Sequence, residues 1–406
     1  NTVLTAELLD ELRANGVERG ARQGVLLRPV DGQVVVPARG GRPVRRSGPG
    51  FGLMSGSSLD GIDIADCTFK INPEKVIFEI NNALTLPYPK ELHDALLEAA
   101  QISSKDLKLL DIEYSEWIAD KLEQFIQGRS EISLIGIHGH TVFHKPNEGF
   151  SLQLGNGRII HSKIGVPIVT DFRTADIKAG GQGAPLSPKG DLDLFPDYDG
   201  FLNLGGISNF SFKTKEQSIK GFDICPFNLA LNELAQKKGF AYDKNGNLAS
   251  RGSIIEPLLE DLNAIEFYKG RKPKSIDRLW YENTFQPIIK RFYNDYALED
   301  IIHTVNNHQA IQIAGVLNDY LNKNDKILLS GGGAHNGFFT ELLKSKIKSK
   351  LIIPDASIAD NKEAIIFAYL ALLKALGMPN CIAQVTGAKR DSIGGMLFGN
   401  CNFNKN

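Results

Sequence analysis

The chain alternates between short, continuously apolar runs and longer segments with helical spacing. Ile62–Ile71, Val76–Leu84, Ser133–His138, Val166–Phe172 and Lys326–Leu329 read as strands, and Phe201–Leu204 with Ile207–Phe212 as a hairpin turning on Gly205-Gly206. Lys90–Gln101 and Lys105–Gln127 carry apolar residues at helical intervals, the second with Leu107, Leu110, Tyr114 and Trp117 along one side. Phe227–Lys238, Ile301–Leu321, Gly337–Lys346 and Lys362–Leu376 read as further helices. This alternation predicts an α/β fold.

Glycine-rich turns punctuate the pattern: Gly52–Gly61, Gly180–Pro185, Leu202–Asn209 and Leu328–Asn336. Without a Cβ, glycine lets backbone N–H groups converge on an anion, so such turns can cradle phosphates. Several in one chain predict a nucleotide held between two lobes. In the first turn, Gly56, Ser57, Ser58, Leu59, Asp60, Gly61, Ile62 and Asp63 offer backbone donors, hydroxyls and carboxylates, and Asp60 could hold Mg²⁺. No Gly-Lys-Ser/Thr follows, so it is not a Walker loop. Gly205-Gly206 and Gly331-Gly332-Gly333 resemble the second phosphate hairpin and the adenosine-binding turn of actin-like sugar kinases, or are a tight turn and a strand–helix connection.

Candidate chemistry sits between these turns. Asp223, read as lying just after a strand and before the helix at Phe227, could face the cleft and accept a proton, or merely cap the helix. Asp171, Arg173 and Asp176 form a polar knot at a strand end that could bind substrate or pair internally. His138, His140 and His144 read as substrate-lining rather than as a zinc site, because strand alternation must run through Gly139 to align them. Glu363 is polar at the start of an apolar stripe and could reach the cleft or favour the helix start.

Composition narrows the class. A chain of 406 residues with 42% hydrophobic content is long enough for two lobes, and a formal net charge of −1 gives no general attraction to nucleic acid or anionic membranes. No apolar run reaches the length of a membrane span, and no signal peptide is visible at residue 1. Four scattered cysteines fit reduced thiols of a cytoplasmic protein. Residues 1–50 differ from the rest: they hold eight arginines and no lysine, whereas the other 356 hold eight arginines and thirty lysines. The segment reads as a fusion or linker without catalytic role, with a short helix over Thr5–Ala14, a strand at Val34–Val36 and a Gly/Pro/Arg stretch from Arg39 to Gly50. On that reading only Phe51 and linker precede the first glycine turn.

Gly52–Asp63, His138-Gly-His-Thr-Val-Phe-His-Lys-Pro146, Asp171-Phe-Arg173, Gly180–Leu186, Asn203–Asn209 and Val385-Thr-Gly-Ala388 together resemble the anhydro-N-acetylmuramic acid kinase family, in order from about Gly52 to Phe398. The resemblance implies a two-lobed actin-like ATPase (ribonuclease H-like) fold, a homodimer, and ATP with Mg²⁺ as cofactors. It implies hydrolytic opening of a 1,6-anhydro sugar with phosphorylation of O6, giving N-acetylmuramate 6-phosphate. Asp223 would be the base acting on the water that attacks C1. ATP would meet Gly56–Asp63, and His138, Asp171, Arg173, Gln182, Asn228 and Glu363 would surround the sugar. Lobe one is expected over 51–197, with 378–406 returning to it, and lobe two over 198–377.

Departures from the family pattern carry their own expectations. Cys225 and Phe227 stand where glycines are usual, which predicts crowding where backbone approaches sugar or phosphate. Thr174-Ala175 replace arginines that could recognise a carboxylate, His140 replaces glutamine, and Ser187-Pro-Lys-Gly190 replaces Val-Pro-Ala-Phe. Kinase action on a neutral anhydro sugar, or a nucleotide-binding regulator without turnover, are the alternatives these changes raise.

Overall fold

The structure is a computed structural model that describes residues 46–56, 59, 61–71, 75–127, 132–216, 218–270 and 275–401, with side chains from Gly50 onward. The helix and strand expected within residues 5–36 lie outside these residues, as do Ser57, Ser58 and Asp60.

In chain order the strands are Arg46–Ser55 (β1), Ile62–Ile71 (β2), Val76–Leu86 (β3), Leu134–Ile137 (β4), His140–Lys145 (β5), Phe150–Leu154 (β6), Ile168–Thr170 (β7), Gly200–Leu204 (β8), Ile207–Lys213 (β9), Ile219–Pro226 (β10), Lys326–Ser330 (β11), Lys350–Ile352 (β12) and Met396–Phe398 (β13). The longer helices are Lys90–Glu98 (α1), Ser104–Ile126 (α2), Gly157–Ile164 (α3), Ser187–Leu194 (α4), Asn228–Gln236 (α5), Glu256–Asn263 (α6), Leu298–Tyr320 (α7), Gly337–Lys344 (α8) and Ala356–Ala375 (α9).

Two sheets share one topology. The first runs β13-β7-β4-β1-β2-β3 and the second β10-β9-β8-β11-β12. In each, an antiparallel meander (β1-β2-β3, β8-β9-β10) is continued by parallel strands beside its first member. The two glycine hairpins, β1–β2 and β8–β9, are therefore equivalent positions of a repeated unit, and β13 adds the C-terminal strand to the first sheet.

A strand does precede the first glycine turn. β1 begins at Arg46, inside the stretch that reads as linker, and pairs with β2 along its whole length. Only Gly50–Leu53 also pair with β4, so Pro49 lies where the second ladder needs no donor. Phe51 and Leu53 are buried in the core between the first sheet and α1, α2 and α3.

Helix α9 starts six residues ahead of the expected Lys362 and lies between the sheets, its core including Ala65, Phe69 and Val169 on one side and Phe201 and Leu328 on the other. Its backbone presses so closely on the first sheet that a Cβ at Gly52 would sit 1.8 Å from the Ala364 carbonyl oxygen, and one at Gly136 2.4 Å from that of Phe367. These glycines are demanded by helix–sheet contact.

Candidate active site

Two adjoining cavities, of about 870 Å³ and about 460 Å³, open between the sheets. Their shared wall carries Asp223, Glu363, Lys362, Arg173, His138 and Asn203. The smaller is ringed by the glycine turns: Ser55, Gly56 and Asp63 from β1–β2, Gly205 and Gly206 from β8–β9, and Ser330, Gly331 and Gly332 after β11. The larger is walled by Gln182, Phe201, Phe222, Ile276, Trp280 and Phe367 among others. To the shared charged wall the smaller compartment adds the backbone of the glycine turns, and the larger adds aromatic rings.

The second hairpin owes its geometry to the start of α5. Gly205 O accepts from Asn228 N (3.1 Å), Gly206 O from Phe227 N (2.8 Å) and Leu229 N (3.1 Å), and Asn228 Nδ2 donates to Leu204 O (3.1 Å). In a planar trans peptide the N–H points opposite the carbonyl, so Gly206 and Ile207 aim their N–H groups away from the helix. Asn228 is thus a brace behind the hairpin and lines neither cavity, contrary to its expected contact with substrate.

Other expected contacts move similarly. Leu59 and Ile62 are buried in the first-lobe core, Leu59 with φ 57°, so they anchor the hairpin rather than line the cleft. Gly61 is fixed by β3, where a Cβ would meet the Leu86 carbonyl oxygen at 2.4 Å. Gly333 serves Phe227: a Cβ there would lie 2.4 Å from that ring. Phe227 itself is buried, packed edge-on against Phe339, and Cys225 is buried with Sγ 3.2 Å from Ser208 Oγ. The large residues at 225 and 227 therefore point into the second-lobe core and do not crowd the cleft. Asp171, at φ 54°, accepts from Thr174 N (3.2 Å) and holds the turn that presents Arg173, without lining either cavity.

Arg173 and His138 form a defined pair. His138 Nδ1 contacts Gly139 O at 2.8 Å and must donate to it, which leaves Nε2 as the acceptor for Arg173 Nη2 at 2.7 Å. Burial and the adjacent guanidinium hold His138 well below the usual imidazole range. Arg173 Nη1 donates to Gly183 O (2.8 Å), while its Nε is buried without a partner among the described residues. Burial lowers this guanidinium to about 10, so it stays charged at neutral pH.

Asp176 joins two of the sequence motifs. It accepts from Gly183 N (2.8 Å) and Thr386 Oγ1 (2.8 Å), and Gln182 N donates to Thr386 O (2.8 Å). The Gly180–Pro185 loop is thereby fastened to Val385–Ala388, with Gln182 and Val385 on the wall of the larger cavity. His144 lines that cavity and His140 the smaller one; burial lowers each to about 4.

Asp223 does not lie between strand and helix but within β10, at a register shift opposite β9. The irregular backbone there sets its carboxylate on the wall common to both cavities. Burial raises its pKa, opposed by hydrogen bonds to Oδ2 from Ser275 Oγ (2.8 Å) and Ile276 N (3.1 Å). Glu363 is raised by burial too, with Lys362 pulling it back. Two carboxylates with weakened acidity thus border one junction, an arrangement suited to proton acceptance.

Sequence reasoning missed Lys362 and Asp191. They form an ion pair at 2.8 Å, exposed 4% and 2%, and Asp191 Oδ2 also accepts from Ser211 Oγ (3.0 Å) on β9. The available signal was a lysine just ahead of the apolar run from Ala364 to Leu373 in α9.

The sequence profile of the anhydro-N-acetylmuramic acid kinase family matches residues 50–400. The chain belongs to the anhydro-N-acetylmuramic acid kinase family. Relatives of that name include one from Nitrosomonas europaea, 33% identical over 364 residues that cover 86% of this chain and 98% of the relative. Another, from Crocosphaera subtropica, is 35% identical over 370 residues, covering 84% and 96%. Among solved structures, an activator of 2-hydroxyisocaproyl-CoA dehydratase from Clostridium difficile with bound ADPNP aligns with TM-score 0.42 and 13% identity, covering 81% of this chain and 96% of that one. A hexokinase aligns with TM-score 0.35 and 9% identity, covering 80% and 86%. The fold is α/β, with two sheets of like topology, and the family is one of phosphotransferases acting on a sugar hydroxyl. None of the described helices is long and apolar enough to cross a membrane.

Proposed function

We propose that this protein uses ATP and water to convert 1,6-anhydro-N-acetylmuramic acid to N-acetylmuramate 6-phosphate, with the sugar in the larger compartment and the triphosphate in the smaller. The observation that carries this reading is the common wall: Asp223, Glu363 and Arg173 border both compartments, where an acceptor held in one meets a donor held in the other. Water adds to C1, the C1–O6 bond breaks, O6 takes the γ-phosphoryl group, ADP leaves, and Asp223 receives the water's proton. The glycine turns fit a triphosphate because Gly205, Gly206, Gly331 and Gly332 border the smaller compartment with backbone that carries no side chain. Mg²⁺ would add charge neutralisation, and Asp63, on the wall of the smaller compartment, is a carboxylate that could hold it. Phosphoryl transfer depends mostly on positioning and charge. Arg173, kept cationic and oriented by neutral His138, supplies charge at the junction, and its remaining donors suit a phosphoryl oxygen or a sugar carboxylate.

We assign residues 51–197 and 378–406 to the first lobe and 198–377 to the second, and propose a cytoplasmic homodimer. The four free cysteines, three of them buried, support a reducing compartment. The test is Asp223→Asn. It should lower kcat by about 10²–10⁴ while ATP binding stays within about twofold of wild type. Near-normal turnover would remove Asp223 from the chemistry.

A further inference from the structure

Asp223 is held by a short segment, the strap, that lines the larger cavity. Ser275 Oγ and Ile276 N both donate to the same oxygen of Asp223, Oδ2, at 2.8 and 3.1 Å. The strap is firmly seated on its C-terminal side. Ile276 is buried, Asp277 Oδ1 accepts from Trp280 N at 2.7 Å, and Tyr281 and Phe285 are buried, with Tyr281 Oη donating to Glu233 at 2.7 Å. Ser275, Ile276, Asp277 and Trp280 also line the sugar compartment. One short segment therefore both walls the sugar site and grips the proton acceptor.

We propose that Ser275 is a positioning residue: with Ile276 N–H it pins Oδ2, fixes the carboxylate plane of Asp223, and keeps it ionised for the attacking water. This rests on the reading of Asp223 as the base. Both donors stabilise the charged carboxylate and have no comparable partner in the protonated acid. Burial works the other way, so the two contacts set how far the base's working range extends toward acid pH.

Other titratable groups line the same cavities: Arg173 and His138 from the first lobe, Lys362 and Glu363 from α9, and Asp277 from the strap itself. They remain when Ser275 is changed, so a comparison of variants isolates the hydroxyl. Ser275 is exposed, and its loss removes no core contact.

The experiment is the pH profile of kcat/KM for wild type, Ser275→Ala and Ser275→Thr, with Asp223→Asn as reference. Removing the hydroxyl should move the acid limb of Ser275→Ala toward alkaline pH by roughly half a unit to one unit. Activity should be lost most at the acid end, and threonine should restore the wild-type limb. An unmoved limb in Ser275→Ala, including a loss of activity equal at every pH, overturns the proposal. Asp223→Asn separates the two failures: an inactive Asp223→Asn with an unmoved Ser275→Ala limb sinks only the positioning role, whereas an active Asp223→Asn sinks the base itself.

Discussion

Replacing Lys362 by methionine should unfold this protein far more readily than removing both members of its ion pair. Lys362 Nζ lies 2.8 Å from Asp191 Oδ1, and both side chains are almost fully buried. At an effective dielectric constant of about 20, unit charges at that distance attract by about 6 kcal/mol. Desolvating two ions costs several kcal/mol each, so the intact pair adds little net stability. Losing one partner is different, because Asp191 keeps its desolvation cost with only the Ser211 hydroxyl in compensation. Lys362→Met should cost about 3–5 kcal/mol, and Lys362→Met with Asp191→Leu should fall within about 2 kcal/mol of wild type. The pair ties α9 and α4 to β9, so it couples the first sheet's packing to the second sheet. Urea denaturation followed by intrinsic fluorescence suits this, since Trp117 lies on α2 in the first lobe and Trp280 on the strap over the second. A non-additive cycle, with the double variant more stable than Lys362→Met, is the expected result. Additive losses, with the double variant weakest, would refute the argument.

Two further outcomes follow from burial and local geometry. His140 donates to the Leu96 carbonyl and is lowered to about 4 by burial, so the folded state favours its neutral form. Stability present above the unfolded imidazole value of about 6.5 should therefore fall as pH drops toward 4, by at most about 3 kcal/mol. His140→Gln, which has no charge to gain, should reduce the slope of denaturation midpoints across that window, to which His138, His144 and His308 also contribute, and an unchanged slope would exclude His140 as a cause. Gly315→Ala in the middle of α7 meets nothing within 4 Å, so it should stabilise by about 0.5–1 kcal/mol, whereas Gly52→Ala drives a methyl into the α9 backbone and should cost about 3 kcal/mol or more. Thermal melting of the two variants checks the contrast, and equal shifts would contradict the packing account.

What the sequence made legible was short-range. The hairpin at Gly205-Gly206 and the strands β4, β8 and β11 stood out because buried strands read as unbroken apolar runs. The same logic hid β1, whose first half is Arg-Ser-Gly-Pro-Gly and whose pairing with β2 is a property of Ile62–Ile71 as much as of its own residues. Asp223 was visible as a residue but not as a position: a β-bulge needs two strands, and nothing near Asp223 announces that β9 is out of step with β10.

The site chemistry was less legible for a related reason. Asp223 meets Ser275 across 52 positions, Asp176 meets Thr386 across 210, and Lys362 meets Asp191 across 171. Each contact pairs residue types that are ordinary alone; only the fold makes the carboxylate costly and the donor necessary. The departures at 225 and 227 show the converse. Phe227 reads as an obstruction when compared with a glycine, yet its ring turns inward onto Phe339, and Gly333 supplies the space a Cβ would deny it. A change at one position of a glycine-rich site is thus balanced by a glycine more than a hundred residues away. If that balance holds, Gly333→Ala should destabilise the second lobe less when Phe227 is reduced to glycine, which removes the 2.4 Å approach to the ring and leaves the 2.7 Å approach to Leu204 Cβ. Equal destabilisation by Gly333→Ala in both backgrounds would show that the ring and the glycine are not coupled.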